Sequence, residues 1–230
     1  MLLTPAELEV LGLSLKVAVT GVIASLPVAL SLAYLLARAQ FPGKILLDGI
    51  VHLPLVLPPV VIGYLLLVAL GRNGLLGAWL AEHLGIVFAF RWTGAALAAS
   101  VMGLPLAVRA MRQAIEGVDR RLEAAASTLG APPAAVFVSV TLPLILPGLL
   151  NGMLLAFARS LGEFGATITF VSNIPGETQT LPLAIYSLTQ VPGGDAQAMR
   201  LCLISIAISL SALVLSEIML RRARRRAHGA

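Results

Sequence analysis

Charge is scarce in this chain. Only 12% of its 230 residues are Asp, Glu, Lys or Arg, about half the share found in soluble domains, and 58% are hydrophobic. A water-exposed globule is excluded. Acids are scarcer than bases, 11 against 16, for a net charge of +5. The bases stand at the ends of apolar runs rather than along a polar face, so they report membrane orientation and not a nucleic-acid footprint. Cysteine is limited to Cys202, inside an apolar run, which rules out an intrachain disulfide and reads as a small buried hydrophobe. The segment Met1 to Glu9 has acids but no basic n-region, so the first apolar run is expected to stay in the mature chain rather than act as a cleaved signal. No repeat or second domain is visible, and residues 1–230 read as one transmembrane domain.

What is present is a series of uncharged runs of bilayer length, about 20 residues per helix. They predict an all-α integral membrane protein with about five spans, near 17–37, 49–71, 92–108, 148–171 and 201–220. The fourth is expected to start near Pro147. A sixth candidate, Thr180 to Val191, is a dozen residues long and proline-interrupted, which fits a re-entrant or interfacial helix. With residues 119–143 inside, Arg38, Lys44, Arg109, Arg112, Arg120, Arg121 and five tail arginines fall on the inner side. Lys16, Arg72, Arg91 and Arg200 fall outside, a bias of eleven to four that places the N-terminus outside and the C-terminus in the cytoplasm.

The polar interruption at 119–143 reads as a short helix outside the lipid. Asp119 is placed to cap a helix from Arg120 to Leu129, Gly130 to end it in the left-handed conformation, and Pro132-Pro133 to stop continuation. Leu122, Ala125, Ala126 and Leu129 share a face whose alanines let a partner approach closely. Two readings stand: a docking handle for a soluble partner, or an amphipathic connector lying on headgroups.

Ala125-Ala126, Gly130 and Val140-Thr141-Leu142-Pro143, at their spacing, resemble the EAA loop by which the membrane subunit of an ATP-binding-cassette importer plugs into its ATPase. In that register Ala124 fills the family's Glu position and Glu123 lies one residue earlier. Beyond the loop, Phe41-Pro42-Gly43-Lys44, the run His52 to Val61, Arg159 to Ala166 and Asn173 to Thr178 are similar to the permease subunits of bacterial molybdate importers. That resemblance implies a multi-pass protein of the bacterial inner membrane that acts as a homodimer. It also implies two cytoplasmic ATPase subunits, a periplasmic oxyanion-binding protein, surrounding lipid and no nucleic-acid partner. The ATPase-coupling residues it implies are Glu123, Ala124, Ala125, Ala126, Gly130, Leu142 and Pro143. The sequence agrees on one point: it holds no G-x-x-x-x-G-K-[ST] phosphate loop, because Gly43-Lys44 lacks a Gly five residues upstream and precedes Ile45. ATP is therefore expected to be used by a partner subunit, with no cofactor, metal or catalytic set on this chain.

Candidate pathway residues are Pro58, Pro59, Arg159, Ser160 and Glu163. Pro58-Pro59, with Pro54 a turn earlier, remove backbone donors in mid-span and predict a kink or break, either static or a hinge facing a water-filled cavity. Arg159 and Glu163, at i, i+4, would cost roughly 2.5–3.5 kcal/mol each at mid-bilayer on insertion scales. They serve either as a neutralised structural pair or as positive potential for an anion path. Gly148-x-x-x-Gly152 permits close helix contact, within the chain or across a dimer. Thr167, Thr169, Ser172 and Asn173 offer neutral donors for an oxyanion or for the lipid interface. A secondary carrier or an intramembrane hydrolase would be the rival classes. The carrier would need repeats and more midplane titratable groups, and the hydrolase a Ser14–His52 pair that opposite ends of two spans keep apart. Molybdate is the cargo the resemblance implies, with tungstate and sulfate as chemically similar alternatives.

Overall fold

A computed structural model describes residues 3–228 of the chain. Among the described residues all regular structure is helical: α1 Pro5–Arg38, α2 Lys44–Val56, α3 Pro59–Leu70, α4 Leu75–Leu84, α5 Trp92–Glu116, α6 Arg120–Thr128, α7 Pro133–Val136, a π-turn Phe137–Thr141, α8 Leu142–Leu161, α9 Gly165–Val171, α10 Leu181–Thr189 and α11 Asp195–His228. Met1, Leu2 and the side chains of the tail arginines Arg222, Arg224, Arg225 and Arg226 lie outside the described residues. Among the described residues four helical stretches are long and apolar enough to cross a membrane: Pro5–Arg38, Trp92–Glu116, Pro133–Leu161 and Asp195–Ile218. The bent pair α2–α3 makes a fifth if it counts as one span.

The elements start and stop for local reasons. Thr4 and Glu7 form a capping box at the head of α1, with Pro5 in its first turn, where a missing N–H costs nothing. Pro58 and Pro59 deny the carbonyls of Pro54 and Leu55 their i+4 donors, and the chain turns by 113° between α2 and α3. The kink foreseen in the 49–71 run is thus a full break, and the run begins five residues earlier. In the π-turn, Leu142 N–H bonds back to Phe137 O because Pro143 has no N–H for Ser139 and its ring crowds that carbonyl.

Core packing sets the direction of every helix. α5 is the axis of the bundle, with 67% of its most apolar window buried. Its small residues Ala95, Ala98, Ala99, Gly103 and Ala107 allow backbones to approach, which is how helices associate where lipid is as apolar as any side chain. Ser100 Oγ donates to Gly21 O at 2.9 Å, while Ala33 and Leu36 join Met111 and Ile115 in one core cluster. Head therefore meets head and tail meets tail: α1 and α5 run parallel. The segment between them must return across the bundle, and α2–α3 performs that return. α8 runs antiparallel to α5, for Ser160 Oγ donates to Ala99 O at 3.2 Å and a Cβ on Gly152 would lie 3.1 Å from Ala107 O. Gly148 faces Ala114 of the same α5, so this small-residue pair serves contact within the chain and not across a dimer. α11 returns beside α8, joined by a Ser216–Asn151 hydrogen bond, and its second turn meets α1 through the Arg200–Glu7 ion pair at 2.9 Å.

Several expectations need correction. The third span continues to Glu116, because Arg109 and Arg112 lie on the outward side of turns whose inner side, Met111 and Ile115, is still core. The 148–171 run is not one helix: α8 follows directly from the π-turn, carries Pro147 in its interior and stops at Leu161, and α9 begins at Gly165. Glu163 stands in the break, with its carboxylate accepting from Ala166 N–H at 2.8 Å and so satisfying an orphan donor of α9. α4, between Gly74 and the left-handed Gly85, was not anticipated. α10, nine residues or about 13 Å at 1.5 Å per residue, is too short to cross, as its sequence suggested.

Candidate functional site

At the end of the bundle where α1 and α5 finish, the chain builds the short helix α6. Asp119 caps it by accepting from Arg121 N–H at 2.9 Å, and Gly130 follows with φ +86, the left-handed conformation its position called for. Among the described residues none of α6 is buried. Leu122 is 50% exposed and Leu129 89%, and Ala124 and Ala125 also face outward. Ala126 is half-buried and turns toward the chain together with Glu123, one turn away. The outward face is therefore Leu122, Ala125 and Leu129, narrower than the sequence pattern indicated. Leu142 and Pro143 lie below it, at the head of α8.

Glu123 is placed unlike its neighbours. Its Oε1 accepts from Arg38 Nη2 at 2.9 Å and from Thr141 Oγ1 at 2.7 Å, with the Arg38 and Glu123 side chains 13% and 19% exposed and Thr141 buried. Nothing in the sequence linked Glu123 to Arg38, 85 residues away.

The second group of candidates comes together where two broken helices meet. A Cβ on Gly63 would sit 2.5 Å from Ala166 O, and one on Gly165 would sit 2.8 Å from Pro59 Cβ, so α3 and α9 touch backbone to backbone. The Pro58-Pro59 break and the Gly162–Phe164 break thus adjoin. Arg159 Nη1 pairs with Glu163 Oε2 at 2.7 Å; the glutamate is 2% exposed and the arginine 27%. Ser160 is buried and occupied with Ala99 O. The neutral donors farther along are not gathered toward a common point: Thr169 Oγ1 donates to Gly165 O at 2.8 Å, and Asn173 Nδ2 donates to Ser187 Oγ at 2.7 Å. Discontinuous helices with a charged pair at the junction resemble the way transporters line a path through the bilayer.

A polar cavity of about 320 Å³ at the α6 end of the bundle escaped the sequence reading. Asp48 and His52 of α2 line it with Arg109, Arg112, Gln113 and Glu116 of α5. Asp48 pairs with Arg112 at 3.1 Å, and Arg112 also pairs with Glu116 at 2.8 Å. The signal lay in the charges at the ends of two runs, but only their adjacency makes them a cluster. Ser14, the other half of the hydrolase alternative, donates to Val10 O and accepts from Leu181 N–H, both at 2.7 Å, at the opposite end of the bundle from His52.

Comparison with known proteins agrees with this architecture. A model of the family described as "Binding-protein-dependent transport system inner membrane component" matches residues 25–225. The chain is 60% identical over 227 residues, 99% of each chain, to the molybdenum transport system permease protein ModB of Escherichia coli (strain K12). It is 41% identical over 177 residues, 77% of this chain and 62% of the relative, to the sulfate transport system permease protein CysW of Synechococcus elongatus. Among solved structures, a chain of a bacterial alginate ABC transporter, in complex with alginate pentasaccharide-bound periplasmic protein, superposes with a TM-score of 0.72. It is 17% identical, with 95% of this chain and 80% of that one covered, and it supports the fold.

Proposed function

The chain belongs to the family of binding-protein-dependent transport system inner membrane components, and we propose that it is the membrane subunit of an ATP-driven importer whose cargo is molybdate. The observation that carries the cargo is the 60% identity along essentially the whole length of a molybdenum permease, against 41% over part of a sulfate permease. Tungstate shares molybdate's charge and shape and follows the same path in this reading.

The helical bundle supplies the path and a partner supplies the energy. Two copies of this chain stand side by side in the bacterial cytoplasmic membrane, N-terminus outward. A periplasmic oxyanion-binding protein delivers cargo to the outer end, and two ATPase subunits grip Leu122, Ala125 and Leu129 of α6 from the cytoplasm. No cofactor is bound by this chain, which is not itself a catalyst. The junction of α3 with α9 lies beside the path, where Arg159, still 27% exposed though paired, offers a weak positive potential. Weak suits a conduit: cargo selection belongs to the binding protein, and a tight site in the permease would hold the anion back.

The test is uptake of labelled molybdate into proteoliposomes holding the chain with its ATPase, with binding protein outside and ATP inside. Uptake that needs all three is the expected result. Uptake driven by an ion gradient without ATP would favour a secondary carrier, and equal transport of sulfate from a sulfate-binding protein would sink the cargo assignment.

A further inference from the structure

The helix offered to the ATPase is held to its own protein by very little. Among the described residues α6 buries no side chain, and the side-chain hydrogen bonds that join it to other helices both end on one atom, Glu123 Oε1. One donor is Arg38, the last residue of α1. The other is Thr141, the last residue of the π-turn, 1% exposed and continuous with α8. A single carboxylate oxygen is thus the meeting point of α1, α6 and α8. The π-turn it grips is backed by Phe137, whose ring meets Tyr34 of α1 edge-on with centroids 5.5 Å apart. Arg38 Nε is buried without a hydrogen-bond partner, so the link has one bond fewer than the arginine could make.

We propose that Glu123 is a positioning residue that does not touch the ATPase: it ties the docking helix to α1 and to the π-turn, so that movement of α6 reaches both spans together. This rests on the importer reading above and specifies how its docking helix acts. An exposed helix without such a link would be displaced by a moving partner while the spans stayed in place. A partly buried, charge-assisted bond transmits the displacement, because burial limits the water that could replace the two donors of the carboxylate. A π-turn is one residue looser than α-helix and can take up or release a register step, which makes it the compliant part of the linkage.

The experiment uses the full complex in proteoliposomes, with molybdate-loaded binding protein, and reads ATPase co-purification, basal hydrolysis and the ratio of stimulated to basal hydrolysis. Glu123→Ala should co-purify with the ATPase and hydrolyse ATP at the basal rate, with the stimulated ratio lowered about tenfold, within the span of coupling energies between sites. The charge swap Arg38→Glu with Glu123→Arg should recover most of that ratio, which a purely structural or ATPase-contacting role would not. Glu123→Gln keeps side-chain size and the acceptor for Thr141, so it reports on the charge even if the alanine variant fails to insert. An unchanged ratio in Glu123→Gln and Glu123→Ala, or loss of ATPase co-purification in inserted Glu123→Ala, would overturn the proposal. A wild-type complex without stimulated hydrolysis would instead sink the importer reading itself.

Discussion

Gly165 lies against Pro59 so closely that a Cβ on the glycine would come within 2.8 Å of the proline Cβ. The two residues are the first positions of α9 and α3, the helices that follow each of the two breaks. A proline that stops one helix and a glycine that starts another are thereby packed into one joint. The joint depends on absent side chains as much as on present ones.

Added volume at that joint should be costly. Gly63→Ala places a methyl 2.5 Å from the Ala166 carbonyl oxygen, and overpacking against backbone costs about 1–3 kcal/mol. Gly12→Ala, with nothing within 4 Å of the new carbon and a helical backbone, should be neutral or stabilising by roughly 0.5–1 kcal/mol. Thermal unfolding in detergent, read beside molybdate uptake, should separate the two variants in opposite directions.

The Arg159–Glu163 pair yields a double-mutant prediction. Glu163→Gln retains an acceptor for Ala166 N–H but leaves Arg159 without its counter-ion, at about 1–3 kcal/mol, reduced by the arginine's partial exposure. Arg159→Gln together with Glu163→Gln should restore yield and stability. Uptake measured in the double variant then decides the role: restored transport marks the pair as structural, and restored assembly without transport marks Arg159 as part of the anion path.

Leu129 projects from the end of α6 with 89% of its surface exposed. A serine there removes no contact within the chain, so folding and insertion should be unaffected. ATPase binding should weaken by about 1–3 kcal/mol, as for an apolar anchor in an interface. Ala125→Leu should do the same by bulk, and Gly130→Val by straining a backbone held at φ +86. Co-purification of the ATPase with each variant is the measurement, and normal binding in all three would leave α6 an idle connector.

Sidedness follows from the parallel packing of α1 and α5. In a Cys202→Ala background, single cysteines at Glu9 and Glu82, exposed at the end where α1 and α5 begin, should react with an impermeant thiol reagent from outside. Cysteines at Gln40 and Arg120, exposed at the other end, should react only after the membrane is opened. Reaction of position 120 from outside would reverse the expected topology and with it the proposed cytoplasmic docking of α6.

Local chemistry was enough for part of this protein. Scarce charge gave the membrane class, and Pro58-Pro59 gave the break, because a missing N–H acts wherever the fold places it. Asp119 and Gly130 announced α6 for the same reason: caps and left-handed turns are settled within a few residues. The length of 180–191 correctly kept it from crossing. The motifs around Pro58, Gly130 and Glu163 also carried the family.

Tertiary structure alone decided which faces meet. A helix apolar on every side carries no periodic signal for its partner, since lipid and neighbouring helix are equally hydrophobic, so the parallel pairing of α1 with α5 had to come from how Gly21 and Ser100 fit. The break at Gly162–Phe164 was hidden because the runs on either side of it are as apolar as one span, and Glu163 looked like a mid-helix charge until its carboxylate met Ala166 N–H. Glu123 is the clearest case. Its position one residue off the expected register looked like a displacement, yet that residue of rotation, about 100° around the helix, points it inward at Arg38 and Thr141 instead of outward at a partner. Helical phase relative to the rest of the chain is a property of the packed bundle, and only the path of the whole chain brings residues 38, 123 and 141 to one point.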